Sequence, residues 1–220
     1  MVGAGAGPRR RVKSLRRLLR RLLLALAAAA LAIGATTAIF LTPPVVHLLL
    51  SVSDAHSALG VEPRVAEALS DALVGDLLSD GTFEAPLGDA PLLSAGERSH
   101  LADVGNLLRA VLMAGLGGLL ALAFVRVRRR TWLRVAIRDG AALIVGGALA
   151  AAAAFALAFD ATFAFFHGLF FAAGTWTFNP ETDRLVQLYP QDFWVLTALL
   201  FCLVLAAFSL LAYRMTGRSR

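Results

Sequence analysis

The sequence predicts an all-α fold: a polytopic membrane four-helix bundle with an extracytoplasmic cap. Three observations carry that reading. Of the 220 residues, 58% are hydrophobic and 16% charged, whereas soluble domains sit near about 45–50% apolar and about 25% charged. Four apolar runs, 22–41, 104–125, 140–159 and 193–213, each match a hydrocarbon core of about 30 Å at a rise of about 1.5 Å per residue. The charges also alternate. Residues 1–21 hold eight Lys or Arg, 126–138 six and 214–220 three, while 43–103 and 160–192 hold fourteen of the fifteen acids and only three Arg. That is the positive-inside pattern, with both termini and the loop 126–139 in the cytoplasm. It argues against a nucleic-acid partner despite the net charge of +6.

Taken in order, residues 1–21 read as a basic cytoplasmic tail in contact with anionic lipid. Leu22–Leu41 is the first span. A cleaved signal peptide has a shorter core of about 7–15 residues, so this run reads as an uncleaved anchor. Pro43-Pro44 ends it. The segment 42–103 is extracytoplasmic. Within it Glu62-Pro63 opens an amphipathic helix whose stripe is Val65, Leu69, Leu73 and Leu77, ending at Ser79-Asp80-Gly81. Thr82–Leu93, with two prolines and two glycines, reads as loop.

Ser94-Ala95-Gly96-Glu97 is a capping box that starts a helix at Ala95, unbroken into the second span at 104–125. Arg109 lies inside that span, where a charge is costly and marks a functional-site hypothesis. The third span (140–159) is rich in Ala and small residues. An extracytoplasmic aromatic segment (160–192) follows, then the fourth span (193–213) and a tail (214–220). Cys202 is the lone cysteine and lies in an apolar run, which excludes a disulfide framework or a Cys-based metal site.

The segment Asp160–Trp194 concentrates Phe and Trp around His167, as a membrane-surface belt does. All four histidines, His47, His56, His100 and His167, fall on the outer side. They admit three readings: polar anchors at the membrane surface, metal ligands, or acid–base groups. Without His-x-x-x-His spacing or a cysteine partner, no metal is expected. His100 and His167 form the better acid–base pair. Glu97 and Asp103 lie one turn from His100, and Phe163, Phe165, Phe166, Phe170 and Phe171 surround His167.

Two stretches carry a resemblance. One is Glu97-x-x-His100-Leu101-x-Asp103-Val104. The other runs Phe166-His167-x-x-Phe170-Phe171-x-x-Gly174-Thr175-Trp176-x-Phe178-x-Pro180-x-x-Asp183-x-Leu185-x-x-x-Tyr189-Pro190-x-x-Phe193. Together they resemble the lipoprotein intramolecular transacylase family of small four-span bacterial membrane proteins, with Leu101 and Gly105 departing from its pattern. The resemblance implies a membrane acyltransferase without a cofactor. It would move an acyl chain from the glyceryl ester of a lipoprotein's lipidated N-terminal cysteine to that cysteine's α-amine, giving the lyso-form. Its partners would be the diacylglyceryl-cysteine terminus and membrane lipid. The expected catalytic pair is His100 and His167, with base and acid unassigned, at the outer leaflet of the bacterial cytoplasmic membrane. Asp103, Arg109, Trp176, Asp183 and Tyr189 are expected to orient these groups or bind substrate. Two other functions compete: an esterase or acyltransferase acting on phospholipid, and a non-catalytic membrane protein that binds envelope proteins.

Overall fold

The computed structural model describes residues 8–79, 81–128 and 130–217. Four of its helices are long and apolar enough to cross a membrane, and short elements cap one end of them.

Helix α1 (Pro8–Phe40) has 33 residues, about 50 Å at 1.5 Å each. The basic stretch 8–21, expected as a tail, is therefore the beginning of the first long helix. Arg, Lys and Leu are good helix formers, and a proline at the first position removes only an N–H that lacks an intrahelical partner anyway. Residues 1–7 lie outside the described residues. The two prolines then act at a boundary: α1 stops at Phe40, and α2 (Pro43–Val52) opens on them.

The cap contains more helix than the sequence suggested. After α2 come α3 (Ala55–Leu59) and α4 (Pro63–Ser79). The buried stripe on α4 is rotated from the expected one. Leu69, Leu73 and Leu77 are buried with Ala66 and Ser70, while Val65 is exposed. The stretch read as loop closes into a two-residue antiparallel ladder, β1 (Pro86–Leu87) against β2 (Ala90–Pro91). Asp80, at the expected end of α4, lies outside the described residues.

Helix α5 (Ala95–Arg128) starts at the capping box and runs for 34 residues. That is longer than the hydrocarbon core, and its early turns pack in the cap through Leu101 and Ala102. Helix α6 (Arg130–Leu157) follows almost at once, so most of the expected loop 126–139 is helical. At Ala158 the backbone leaves helical geometry (φ −150°, ψ 64°) and α7 (Phe159–Phe170) begins. Helix α8 (Arg184–Leu188) and the last long helix α9 (Gln191–Gly217) complete the chain.

Helix α1 is central in the bundle, packing on α5, α6 and α9, and α6 packs on α9. Small residues allow this in a medium where leucine gains nothing by leaving lipid. A Cβ built on Gly34 would stand 2.8 Å from the Gly115 Cα, and one on Gly140 2.8 Å from the Ala25 carbonyl oxygen. Met113, Leu120, Phe124, Leu149 and Leu203 point outward with more than half their surface exposed, as a bilayer-facing shell requires. Two cores result. One lies between the long helices around Ala29, Ile144, Ala148 and Leu205. The other fills the cap around Leu50, Leu73, Leu93, Leu101, Leu188 and Phe193. Away from the cap, Arg21 pairs with Asp139 at 3.0 Å, and Arg138 donates to the Tyr213 hydroxyl at 2.9 Å.

A Cβ on Gly118 would collide with the Ala27 backbone carbonyl, whereas one on Gly117 meets nothing within 4 Å. Overpacking of this kind costs about 1–3 kcal/mol. Gly118→Val is expected to lower the melting temperature in detergent, and Gly117→Ala to leave it unchanged.

Candidate active site

How α5 begins determines where His100 stands. The Ser94 N–H donates to Glu97 Oε2 at 2.7 Å, and the Glu97 N–H reaches back to Ser94 Oγ at 3.4 Å. This reciprocal pairing holds the first turn. The other carboxylate oxygen, Oε1, accepts the Leu185 N–H at 2.7 Å across 88 residues of sequence. Glu97 is 1% exposed, and both of its oxygens meet backbone donors. One turn later His100 is likewise buried.

His167 arrives from the opposite side, on the last turn of α7. Its Nδ1–H donates to the Phe163 carbonyl at 2.9 Å. In the neutral ring this leaves Nε2 with a free lone pair. The bend at Ala158 and the turn after Phe171 fold the aromatic segment over this ring. Gly174 sits at φ 84°, a backbone region that suits a residue without a Cβ, and the chain returns with Trp176 against His167, ring centroids 5.0 Å apart.

The two imidazoles meet with centroids 5.9 Å apart. Phe171 and Phe178 wall His100 at 5.0 and 5.6 Å. Phe163 lies 3.9 Å and Phe171 5.5 Å from His167. Burial among rings disfavours the charged imidazole. It pushes His100 from 6.5 down to about 4; a charge on His167 lowers it further, and the Asp103 carboxylate opposes both. Burial also lowers His167, against the opposing Phe163 carbonyl. Both rings are therefore neutral near pH 7, and a proton on one disfavours a proton on the other.

The remaining expected residues take varied places. Asp103 is exposed and acts on His100 through its charge. Arg109 donates from Nη1 to the Leu77 carbonyl at 3.0 Å and from Nη2 to Asn106 Oδ1 at 2.9 Å, which ties the end of α4 to α5. Asp183 Oδ2 accepts the Asn179 N–H at 2.6 Å and holds the turn before α8. Tyr189 is buried and shares a 2.8 Å hydrogen bond with Ser70, and burial pushes its hydroxyl up to about 12. Arg109, Asp183 and Tyr189 thus hold the cap in shape. Trp176 packs on a histidine ring. His47 pairs with Asp71 at 2.9 Å and His56 with Asp54 at 3.3 Å, both away from the ring cluster.

Sequence reasoning missed two features. Glu97, one turn from His100, also clasps α8 through the Leu185 N–H. Phe178 is a wall of His100. The capping box signalled the first half of the Glu97 clasp; nothing local signalled Leu185.

The lowered histidines make stability sensitive to acid. Between pH 6.5 and about 4 the unfolded chain binds protons that the folded His100 refuses, so stability present above pH 6.5 is lost as pH falls through that window. The drop in melting temperature from pH 7.5 to pH 5 is expected to be smaller in His100→Gln than in the parent protein.

The family model of the lipoprotein intramolecular transacylase Lit matches residues 80–194, slightly over half of the chain and including both histidines. No curated protein sequence matches significantly. Among solved structures, the membrane-integral lipoprotein intramolecular transacylase Lit from Bacillus cereus aligns at a TM-score of 0.73 and 19% identity, covering 93% of this chain and 95% of that one. Two variants of the same protein align as well. The one with a histidine-to-arginine substitution gives 0.70 at 18% identity over 96% of each chain. The one with a histidine-to-alanine substitution gives 0.62 at 19% over 94% of each. These likenesses describe a shared fold, and the sequence match is centred on the segment that brings the two rings together. The chain belongs to the lipoprotein intramolecular transacylase family.

Proposed function

We propose that His100 and His167 act as one acid–base unit. It would transfer an acyl chain from the glyceryl ester of a lipoprotein's lipidated N-terminal cysteine to that cysteine's own α-amine. The observation that carries this reading is the meeting of two imidazoles, ring centroids 5.9 Å apart, from distant parts of the family-matched segment.

Ester aminolysis needs a neutral amine, and an α-amine has a pKa of about 7.7–8.0. As the amine nitrogen bonds to the ester carbonyl carbon, it must lose a proton, for which His167 Nε2 offers a lone pair. As the carbon–oxygen bond to glycerol breaks, that oxygen must gain a proton. His167 passes its proton to His100 one ring away, and His100 delivers it to the oxygen and returns to neutral, so nothing is consumed. Mutual repulsion of two charged rings suits a relay of one proton, and the Asp103 charge favours the moment when His100 carries it. General acid–base help of this kind contributes about 10²–10⁴-fold. Donor and acceptor share one molecule, so positioning can supply about 7–11 kcal/mol more. The reaction needs no serine or cysteine nucleophile.

The outer leaflet is the supported location. The site shares its end of the bundle with the acidic cap, and the basic residues gather at the other end, as the positive-inside rule requires with both termini cytoplasmic. Phe165, Phe166, Leu169 and Phe170 on α7 are exposed, so the helix carrying His167 offers its outer face to lipid, where a diacylglyceryl-cysteine resides. Tandem mass spectrometry of a reporter lipoprotein expressed with the protein tests the reading. The lyso-form, with an amide-linked chain, is expected with the parent sequence and should fall at least about 10²-fold with His100→Ala or His167→Ala. Undiminished lyso-form from both variants would contradict it.

A further inference from the structure

A buried donor beside the base has no acceptor. Trp176 Nε1 is out of solvent and lacks a hydrogen-bond partner among the described residues. Buried side-chain donors are nearly always paired, and an unpaired one loses about 1–3 kcal/mol. The indole is held in place: its ring lies 5.0 Å from His167 and 6.5 Å, edge-on, from Phe163, on a chain that Gly174 turns through φ 84°. Packing against the rings would be equally served by phenylalanine. The N–H is what tryptophan adds, and it stands next to the ring proposed to deprotonate the nucleophile.

We infer that the Trp176 indole N–H is the hydrogen-bond donor for the ester carbonyl oxygen of the substrate and for the oxyanion formed from it. When the amine attacks the carbonyl carbon, the carbon–oxygen π pair moves onto that oxygen. The negative charge then lies beside a donor held against the His167 and Phe163 rings. When the carbonyl re-forms, the pair returns and the glyceryl oxygen leaves with its proton. No proton or electron passes through the indole. A neutral donor fits this place, because the neighbouring rings disfavour a cation. Charge that exists only during the reaction is where a preorganised donor is most effective, and loss of one such donor lowers turnover by about 10²–10³-fold.

The inference rests on the His100–His167 reading, and the test separates the two. The purified full-length protein is assayed in detergent on a dipalmitoyl-S-glyceryl-cysteinyl peptide. Three variants are compared with the parent protein: His167→Ala, Trp176→Phe, and a protein carrying β-(3-benzothienyl)alanine at position 176. The last replaces N–H by sulfur and keeps the shape of the ring pair. The benzothienyl protein is expected to keep the parent melting temperature, pH profile and KM within about threefold while kcat falls about 10²–10³-fold. Trp176→Phe should lose as much. If the benzothienyl protein keeps at least a third of parent kcat while His167→Ala is inactive, the indole N–H has no such role and this inference alone fails. If His167→Ala is itself active, the reading of the histidine pair fails.

Discussion

Two hydrogen bonds to one buried carboxylate connect parts of the chain that must meet for a site to exist. Glu97 accepts the Ser94 N–H with one oxygen and the Leu185 N–H with the other. It fixes the first turn of α5, and with it His100, against the segment that returns from His167 and Trp176. A carboxylate that is 1% exposed is tolerable only because both oxygens have donors. Charge-assisted bonds of this kind are roughly twice as strong as neutral ones. The same group therefore specifies both a helix start and a long-range contact. Arg109 on the Leu77 carbonyl and Tyr189 on Ser70 brace the cap around it.

The membrane part follows a different logic. Between lipid-facing helices there is little hydrophobic gain, so close packing decides the arrangement. Gly34 against Gly115, and Gly140 against the Ala25 carbonyl, bring α5 and α6 onto α1. The bundle then serves as a platform. Its long helices carry polar turns to one end, where the cap core closes over them. The start of α5 and the end of α7 thereby bring His100 and His167 together at that end, ring centroids 5.9 Å apart.

Much of this was legible in the sequence because the responsible forces are periodic or compositional. Run length and charge asymmetry revealed the long helices, and the capping box gave the start of α5 to the residue. Helix ends were harder to read. Residues 8–21 looked like a tail because charge suggests solvent, yet arginine and leucine continue a helix readily. Helices α2 and α3 are too short to show a period. The α4 stripe was displaced because small residues, Ala66 and Ser70, fill the buried face where leucines were sought. In the site, His100 and His167 stood out as chemically capable residues, and family resemblance joined them. The Glu97–Leu185 bond, the Phe178 wall and the unpaired Trp176 N–H depend on how distant segments fold together. No local pattern encodes those.

The ring environment explains why two ordinary histidines would be suited to an amine and an ester. Burial among aromatic rings disfavours a charge on either imidazole, so each has a lone pair for an incoming proton, and a charge on His167 disfavours one on His100. The most direct test is a single-turnover rate comparison of His100→Ala, His167→Ala and the double variant on one diacylglyceryl-cysteinyl substrate. Residues that work as one proton path lose their function together, so the double variant is expected to be no slower than the slower single variant, within about threefold. Losses that multiply would mean two independent contributions and would contradict a shared relay.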